Sequence, residues 1–300
     1  MDYFLELFSS GMVRGSIYAL IALGYTMVYG IIQLINFAHG EIYMIGAFVA
    51  LIVSGVLTIY GFSGVSILIL AAIIAMIYAA AYGYTLEKIA YRPLRNAPRL
   101  SALISAIGMS LFLQNYVLLA QTPDYLPFPD LIPQFAFMEP IAHVMGSAEL
   151  IILVTSALTM IALTLLIKYT RIGKAMRATH QDMTMARLVC VKVDQDISIT
   201  FIIGSVLAAI GGVLVASYIG QINFYIGFMA GVKAFTAAVL GGIGNIPGAA
   251  LGGLVLGLAE AFAAGYVSSA YEDVFAFGVL VLILILRPSG LLGKAVKQKV

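Results

Sequence analysis

Charged side chains are scarce in this sequence. They make up 10% of its 300 residues, whereas the apolar set of Ala, Val, Ile, Leu, Met, Phe, Trp, Tyr and Cys makes up 62%. Globular proteins are roughly 45–50% apolar and about 25% charged, because a soluble surface needs polar side chains to cover it. The composition therefore excludes a soluble fold and places most of the chain in lipid. The net charge is only +2, which gives no indication of nucleic-acid binding.

Cysteine and nucleotide-binding motifs are also sparse. The single cysteine, Cys190, excludes an internal disulfide, and with three scattered histidines it offers no zinc-ligand spacing. A phosphate-binding loop needs G-x-x-x-x-G-K-[ST], but Gly173-Lys174 and Gly293-Lys294 are each followed by alanine. We therefore predict a chain without a cofactor, a metal or an ATPase site of its own. The sequence offers no nucleophile–base set that would indicate an enzyme.

Long apolar runs are what the sequence has instead. A membrane core about 30 Å thick needs roughly 20 apolar residues of helix. Nine candidate runs lie near 11–32, 40–60, 65–86, 101–120, 148–168, 198–219, 226–243, 247–266 and 271–287. They are continuous rather than alternating, which favours helices over a barrel. We predict an all-α polytopic membrane protein, one transmembrane domain over 1–300, with eight or nine spans; Lys233 and several glycines interrupt the seventh.

The basic residues predict the orientation of these spans. They concentrate in three short stretches, near 88–99, 168–192 and 287–299, and the loops between have none. Those loops and the amino end carry the acidic residues Asp2, Glu6, Asp124, Asp130, Glu139, Glu149, Glu272 and Asp273. Because cytoplasmic loops are enriched in Lys and Arg, we predict a cytoplasmic carboxyl terminus and an amino terminus outside. Nine crossings satisfy this orientation, and eight do so only if one segment is re-entrant.

The chain repeats a short motif at a constant offset. Ile35-Asn36-Phe37, Gly40, Ala47 and Phe48 recur 187 residues later as Ile222-Asn223-Phe224, Gly227, Ala234 and Phe235. The same offset relates span 11–32 to span 198–219, and these two cross in opposite directions in the predicted topology. Inverted repeats of this kind are typical of transporters. We therefore predict half-repeats over about 11–120 and 198–287, with chance similarity in a biased composition as the alternative.

Polar residues interrupt the apolar pattern at both copies of this motif. Broken helices free backbone N–H and C=O groups, which in transporters bind the charged groups of substrates. Glu260 adds an isolated carboxylate within an apolar run, a costly feature inside a membrane. The candidate residues of a translocation path are Asn36, His39, Gly40, Glu41, Asn223, Gly227, Lys233 and Glu260. The alternatives are interfacial loops for the two breaks and a structural carboxylate for Glu260, with Lys233 as a conceivable partner.

Two further segments carry structural expectations. The glycine-rich stretch 241–257 has G-x-x-x-G spacings that predict close helix packing, and its Asn245-Ile246-Pro247 step should break or kink a helix. The connection 169–197 is basic, and its residue types predict one short amphipathic helix over 174–189. Such a helix either docks into a soluble partner or lies on lipid headgroups.

Five strings resemble one protein family. They are GYTMVYGI from Gly24, INFAHGE from Ile35, YRPLR from Tyr91, SAIGMS from Ser105 and KAFTAAVLGGIG from Lys233. Over nearly the whole chain, from about residue 11 to 293, the sequence is similar to the permease subunit of the high-affinity branched-chain amino-acid ABC importer. The resemblance implies a multi-pass protein of the bacterial inner membrane that carries leucine, isoleucine or valine.

The same resemblance implies partners. Such permeases work with a homologous second permease, two ATP-binding subunits that bind the ATP, and a periplasmic amino-acid-binding protein. The connection 169–197 would then be the cytoplasmic coupling loop. Its candidate contacts with the ATPase are Arg177, Ala178, Asp182, Ala186 and Arg187. Cys190 stands where the family usually has glycine, so a less tight turn or a helix one residue longer is expected there.

Two other classes of function compete with this interpretation. An ion-coupled secondary transporter or channel would need carboxylates in the membrane core, and only Glu41 and Glu260 qualify. A membrane-embedded enzyme would need catalytic groups that the sequence does not assemble. The sequence does not indicate which branched-chain amino acid is preferred.

Overall fold

The computed structural model describes residues 2–95, 97–134 and 144–293. Its helices are α1 Asp2–Ile32, α2 His39–Ile59, α3 Val65–Leu86, α4 Arg99–Ala120, α5 Ser147–Tyr169, α6 Arg171–Gln181, α7 Met183–Leu188, α8 Val193–Ile219, α9 Ile226–Gly241, α10 Ile246–Tyr266 and α11 Glu272–Leu286. A π-helical turn, Glu87–Tyr91, and a short 3-10 turn, Arg92–Leu94, extend α3, and a second 3-10 turn, Ser269–Tyr271, precedes α11. Glu139 and the tail lysines Lys294, Lys297 and Lys299, used to predict the orientation, lie outside the described residues.

The predicted all-α membrane fold is confirmed. Each of the nine apolar runs forms a helix, and eight helices in the described ranges are long and apolar enough to cross a membrane, when α11 is counted together with the 3-10 turn before it as the 18 residues Ser269–Leu286. The seventh run forms the one helix among these nine that is too short to cross, α9, which has 16 residues. At 1.5 Å per residue α9 is about 24 Å long, less than a membrane core of about 30 Å. The number of spans is therefore eight full-length helices plus one short apolar helix.

Helices α1 and α8 form the centre of the bundle, and most residues of their apolar windows are buried. Helices α2, α3, α9 and α10 pack around them, whereas α4, α5 and α11 lie at the periphery with mostly exposed apolar side chains. We call the end of the bundle where α1 begins the start face, and the end where α1 finishes the end face.

Small residues bring the central helices together, as the glycine spacing predicted. Gly253 and Gly257 of α10 lie against Ala19 and Gly15 of α1, where an added Cβ on either would come closer than 3.0 Å to backbone atoms. Asn245 ends the break after α9, and its side chain accepts a hydrogen bond from Gly248 N at 3.4 Å at the start of α10.

The helix arrangement matches the inverted repeat. Helix α2 begins at His39 and α9 at Ile226, which are 187 positions apart, and each follows a break of six residues. Helix α1 runs antiparallel to α8, because Gly24 lies near Gly204 while Gly211 lies near Ile21. The neighbours also exchange under the offset: α1 packs on α9 and α10, and its counterpart α8 packs on α2 and α3.

A short pair of strands ties the start face together. Strand β1, Leu126–Pro127, pairs antiparallel with β2, Gln221–Ile222, which forms part of the second break. Phe128 N also donates to Gly220 O at 2.9 Å. The loop after α4 is thereby fixed to the segment that leads into α9.

The single helix predicted over 174–189 is wrong, because the chain forms two helices there. Helix α6 ends at Gln181, and Asp182 takes an extended conformation with φ −161°. The Asp182 side chain accepts hydrogen bonds from Thr184 N at 2.7 Å and Met185 N at 3.0 Å, so it caps α7. A capping aspartate starts a new helix rather than continuing the old one.

The expectation at Cys190 is also wrong. Helix α7 ends at Leu188 and does not run longer, and Cys190 keeps the left-handed conformation with φ 63°. Its N–H bonds to Arg187 O at 3.1 Å and Val191 N–H bonds to Ala186 O at 3.0 Å, which closes a tight turn. The cysteine therefore adopts the backbone conformation that glycine adopts at low cost.

Replacing Cys190 with glycine is expected to stabilise this turn by about 0.5–1 kcal/mol, because a left-handed residue with a Cβ costs about 1–2 kcal/mol and glycine gives part of this back in entropy. Cys190→Val, which is β-branched, should destabilise it. Limited proteolysis in detergent measures both: cleavage between 181 and 192 should be slower for the glycine variant and faster for the valine variant. Equal cleavage rates for the wild-type, glycine and valine proteins would show that the left-handed backbone at residue 190 is not strained.

Candidate functional site

The first break is held by a tyrosine from the π-helical turn after α3. The single O–H of Tyr91 is shared between two acceptors, Asn36 Oδ1 at 3.0 Å and Ile35 O at 3.3 Å. The π-helical turn widens the helix by one residue and so changes the direction of Tyr91. Asn36 is 2% exposed. Its amide is therefore bound within the protein, and the YRPLR string that carries Tyr91 positions the INF string.

The two copies of the motif meet where α2 and α9 cross at their first turns. Gly40 and Gly227 are the second residues of these helices and stand 187 positions apart. A Cβ added to Gly227 would lie 2.7 Å from Gly40 O, and a Cβ added to Gly40 would also come closer than 3.0 Å to Gly227 O. Glycine at both positions therefore lets the two helix N-termini touch.

The contacts around this crossing repeat with the same offset. Gly40 neighbours Gly231 on α9, and Gly227 neighbours Met44 on α2. The two pairs correspond under the offset of 187, because Gly40 is equivalent to Gly227 and Met44 is equivalent to Gly231. The contacts of α2 and α9 at the crossing are therefore equivalent under the offset of 187.

His39 and Glu41 point to different surroundings beside this crossing. The His39 ring lies against Gly24 of α1 and makes an edge contact with Tyr25 at 4.9 Å between ring centroids. Glu41 Oε1 accepts a hydrogen bond from Ser110 Oγ at 3.1 Å, and Oε2 faces Gly227. His39 Nε2 and Glu41 Oε2 are buried and have no hydrogen-bond partner among the residues that the structure describes. The two side chains thus lie on different sides of α2.

The second break differs from the first in its polar contacts. Asn223 is partly buried, and its Oδ1 accepts a hydrogen bond from Tyr225 N at 3.1 Å. This local turn leads directly into α9. Asn223 stabilises the turn, whereas Asn36 binds a side chain from another helix.

Lys233 and Glu260 belong to a charged cluster nearer the start face. Lys233 Nζ lies 3.2 Å from Glu260 Oε1 and 2.7 Å from Asp273 Oδ1. Glu260 is fully buried, and its Oε2 also accepts a hydrogen bond from Tyr18 Oη at 2.7 Å. The structure therefore pairs Glu260 with the partner that the sequence suggested. This cluster joins α1, α9, α10 and α11.

A second charged cluster lies toward the end face and was not found from the sequence. Glu87 is fully buried and binds the guanidinium of Arg95, which also pairs with Asp194 at the start of α8. Ser198 Oγ donates to Glu87 Oε2 at 2.8 Å. The YRPLR string, which contains Arg95, was the signal that could have indicated it. The cluster fixes the turn that carries Tyr91 to α8.

Helix α6 closes a cleft of about 560 Å³ at the end face. The cleft is lined by residues of α1, α5 and α6 and by the 243–247 loop, among them Thr26, Gly30, Met176, His180 and Asn245. His180 Nδ1 is hydrogen-bonded to Gly30 O. This bond connects the 169–197 connection to the last turns of α1, just before the first break.

The five residues predicted to contact an ATPase differ in how far they are buried and in which groups they bind. Arg177 donates to Ile167 O and to Lys168 O, so it caps the carboxyl end of α5, and Asp182 caps α7. Ala186 is 2% exposed and Ala178 is half-buried, whereas Arg187 is exposed. The apolar residues that α7 and the turn after it do expose are Met185, Leu188 and Val189. Of these three, the residue types of the connection indicate Met185 as an apolar contact, and sequence reasoning missed Val189.

No group of three or more His, Cys, Asp or Glu side chains in the described ranges is placed to hold a metal ion. The candidate site is built from glycines, helix N-termini and single polar side chains.

Comparison with known proteins gives the family. The family described as "Branched-chain amino acid transport system / permease component" matches residues 7–284. The chain is 48% identical over 302 aligned positions to the high-affinity branched-chain amino acid transport system permease protein LivH of Escherichia coli K12, covering 99% of this chain and 98% of LivH. It is 50% identical to BraD of Pseudomonas aeruginosa, described as a permease protein of the same kind of system, with the same coverage.

One solved structure, PsaBC from Streptococcus pneumoniae in complex with Fab, aligns over 96% of this chain and 91% of that chain with a TM-score of 0.42 and 12% identity. The family match spans most of the chain, and both relatives are matched over nearly their full length. The chain belongs to the family of permease components of branched-chain amino acid transport systems.

Proposed function

We propose that this chain is the membrane-spanning permease subunit of an ABC importer that carries leucine, isoleucine and valine across a bacterial inner membrane. The observation that carries the proposal is the meeting of both INF breaks at Gly40 and Gly227 in a chain of this family. Broken helices that meet on the axis of an inverted repeat are where transporters place their substrates.

The chain acts as one transmembrane domain whose half-repeats, about 11–120 and 198–287, move against each other around this crossing. Asn36, His39, Gly40, Glu41, Asn223 and Gly227 border the path. Lys233 and Glu260 act at its start-face side, where their ion pair anchors α9 to α10 and α11. The start face is outside, with the amino terminus, and the end face and carboxyl terminus are cytoplasmic.

Separate subunits supply the energy. The connection 169–197 is the coupling loop, and a subunit that binds ATP docks on it. Exposed Met185, Leu188 and Val189 support this role, because apolar side chains clustered on an exposed helix mark an interaction surface. The His180–Gly30 bond connects the docked subunit to α1. The other partners are a homologous second permease, a second ATP-binding subunit, a periplasmic amino-acid-binding protein and the lipid bilayer.

Transport by the complete complex in vesicles tests this proposal. Leucine uptake should require ATP on the ATPase side together with the binding protein, and this chain purified alone should hydrolyse no ATP above background. Met185→Asp should abolish uptake, because a buried charge at a protein interface is costly, while exposed Arg171→Asp leaves the docking residues intact. Uptake driven by an ion gradient without ATP would instead favour a secondary transporter.

A further inference from the structure

Two helix N-termini and one carboxylate meet at the crossing of α2 and α9. Gly40 and Gly227 lie in the first turns of these helices, and Glu41 Oε2 would be 2.6 Å from a Cβ on Gly227. The free N–H groups of a helix N-terminus carry roughly half a positive charge. The two N-termini together offset about one negative charge, and Glu41 supplies one.

The Glu41 carboxylate has an unused acceptor. Its side chain is 1% exposed, and Oε2 has no hydrogen-bond partner in the part of the chain that the structure describes. Within the described ranges no Lys, Arg or His forms an ion pair with Glu41, whereas Glu87 pairs with Arg95 and Glu260 with Lys233. Buried polar groups in native proteins are nearly always satisfied. A buried carboxylate that faces the proposed translocation path and has no paired cation is therefore suited to bind a cationic group that a passing solute carries.

We infer that this crossing binds an α-amino acid as a zwitterion during passage, with the substrate ammonium group on Glu41 and the substrate carboxylate on the N-terminal N–H groups of α2 and α9. The inference rests on the proposed function and names the atoms that hold the substrate. A zwitterion adds no net charge, so the balance between Glu41 and the two N-termini is kept. A substrate with a net charge would leave an uncompensated charge in a poorly solvated place, which is costly.

The surroundings of the crossing fit a branched aliphatic side chain. Met44 borders Gly227, and Phe235 lies 5.9 Å from Phe37 and 6.2 Å from Tyr25 between ring centroids. Apolar side chains therefore line the place that a substrate carboxylate would approach.

The site is closed in this structure, because Gly40 and Gly227 touch. It forms when α2 and α9 separate at their first turns. With glycine at both positions, the gap closes again without leaving a cavity.

The variant Glu41→Gln tests the inference in the complete complex, reconstituted in vesicles with leucine-loaded binding protein and ATP. Leucine uptake per ATP hydrolysed should fall about ten-fold or more, because a charged hydrogen bond is worth about 1.5–3 kcal/mol. ATP hydrolysis stimulated by the loaded binding protein should persist. Glu41→Asp, which keeps the charge, should give an intermediate uptake.

Glu149→Gln is the matched control. Glu149 caps the start of α5 through Gly146 N at 2.7 Å, far along the chain from the crossing, so uptake should be unchanged. Wild-type uptake per ATP in Glu41→Gln would overturn the inference, and so would equal losses in the Asp and Gln variants. Both outcomes leave the proposed function intact. If the wild-type complex showed no ATP-dependent leucine uptake, the proposed function itself would be contradicted.

If Glu41→Gln fails to assemble, Glu41→Asp decides. That variant keeps the charge but draws the carboxylate back from the crossing by one methylene, so uptake per ATP should fall by about two-fold to ten-fold. Wild-type uptake per ATP in Glu41→Asp would overturn the inference.

Discussion

Replacing Arg95 with alanine is expected to destabilise the folded protein by about 3–5 kcal/mol, because it leaves a buried carboxylate without its cation. Glu87 is fully buried, and only Ser198 would still donate to it. The turn that carries Tyr91 would lose its attachment to α8, and Asn36 would lose its support. In detergent the midpoint of thermal unfolding should fall by on the order of 10 °C.

Arg92→Ala is the matched control for this change. Arg92 belongs to the same YRPLR string and pairs with the same Asp194 at 3.4 Å, but both side chains are substantially exposed, at 41% and 50%. Exposed ion pairs contribute roughly 0–1 kcal/mol. Similar losses for Arg92→Ala and Arg95→Ala would contradict the assignment of Glu87 as the residue that depends on Arg95.

Replacing Gly40 with valine is expected to cost about 3 kcal/mol or more and to abolish leucine uptake, because the new side chain has no room. Its Cβ would meet Gly227 O, a backbone atom that moves only if α9 moves. Separation of α2 and α9 should therefore be forced in every state. The thermal unfolding midpoint in detergent and uptake into vesicles measure the two effects.

Gly55 on the same helix provides the control for Gly40. It has no atom within 4 Å of an added Cβ, so Gly55→Ala should raise stability by about 0.5–1 kcal/mol through helix propensity alone. A Gly40→Val protein that is as stable and active as Gly55→Ala would show that the crossing is not as tight as described.

Much of the fold could be predicted because lipid imposes a simple rule. Each apolar run had to become a helix, and all nine did so. The offset of 187 identifies Gly40 and Gly227 as equivalent positions, and the structure brings them together. Lys233 was a conceivable partner of Glu260, because an isolated buried charge is costly, and the two are paired.

The parts that could not be predicted depend on side-chain directions. Glu87 reaches Arg95 because a π-helical turn intervenes, and the sequence does not encode that turn in its apolar period. The good helix formers around Asp182 predict one continuous helix over 174–189, but the Asp182 carboxylate caps α7 and so divides the segment into two helices. Arg177 was expected to face a partner, and its donors are used by the last carbonyls of α5.

The pairing of Leu126–Pro127 with Gln221–Ile222 has a mechanical consequence. A force applied to the loop after α4 on the start face acts directly on the segment just ahead of α9, without passing through the charged cluster or the bundle core. A displacement of that loop is therefore transmitted to the first turn of α9, where Gly227 lies. A protein that binds this loop on the start face would therefore pull on the crossing of α2 and α9 without contacting it.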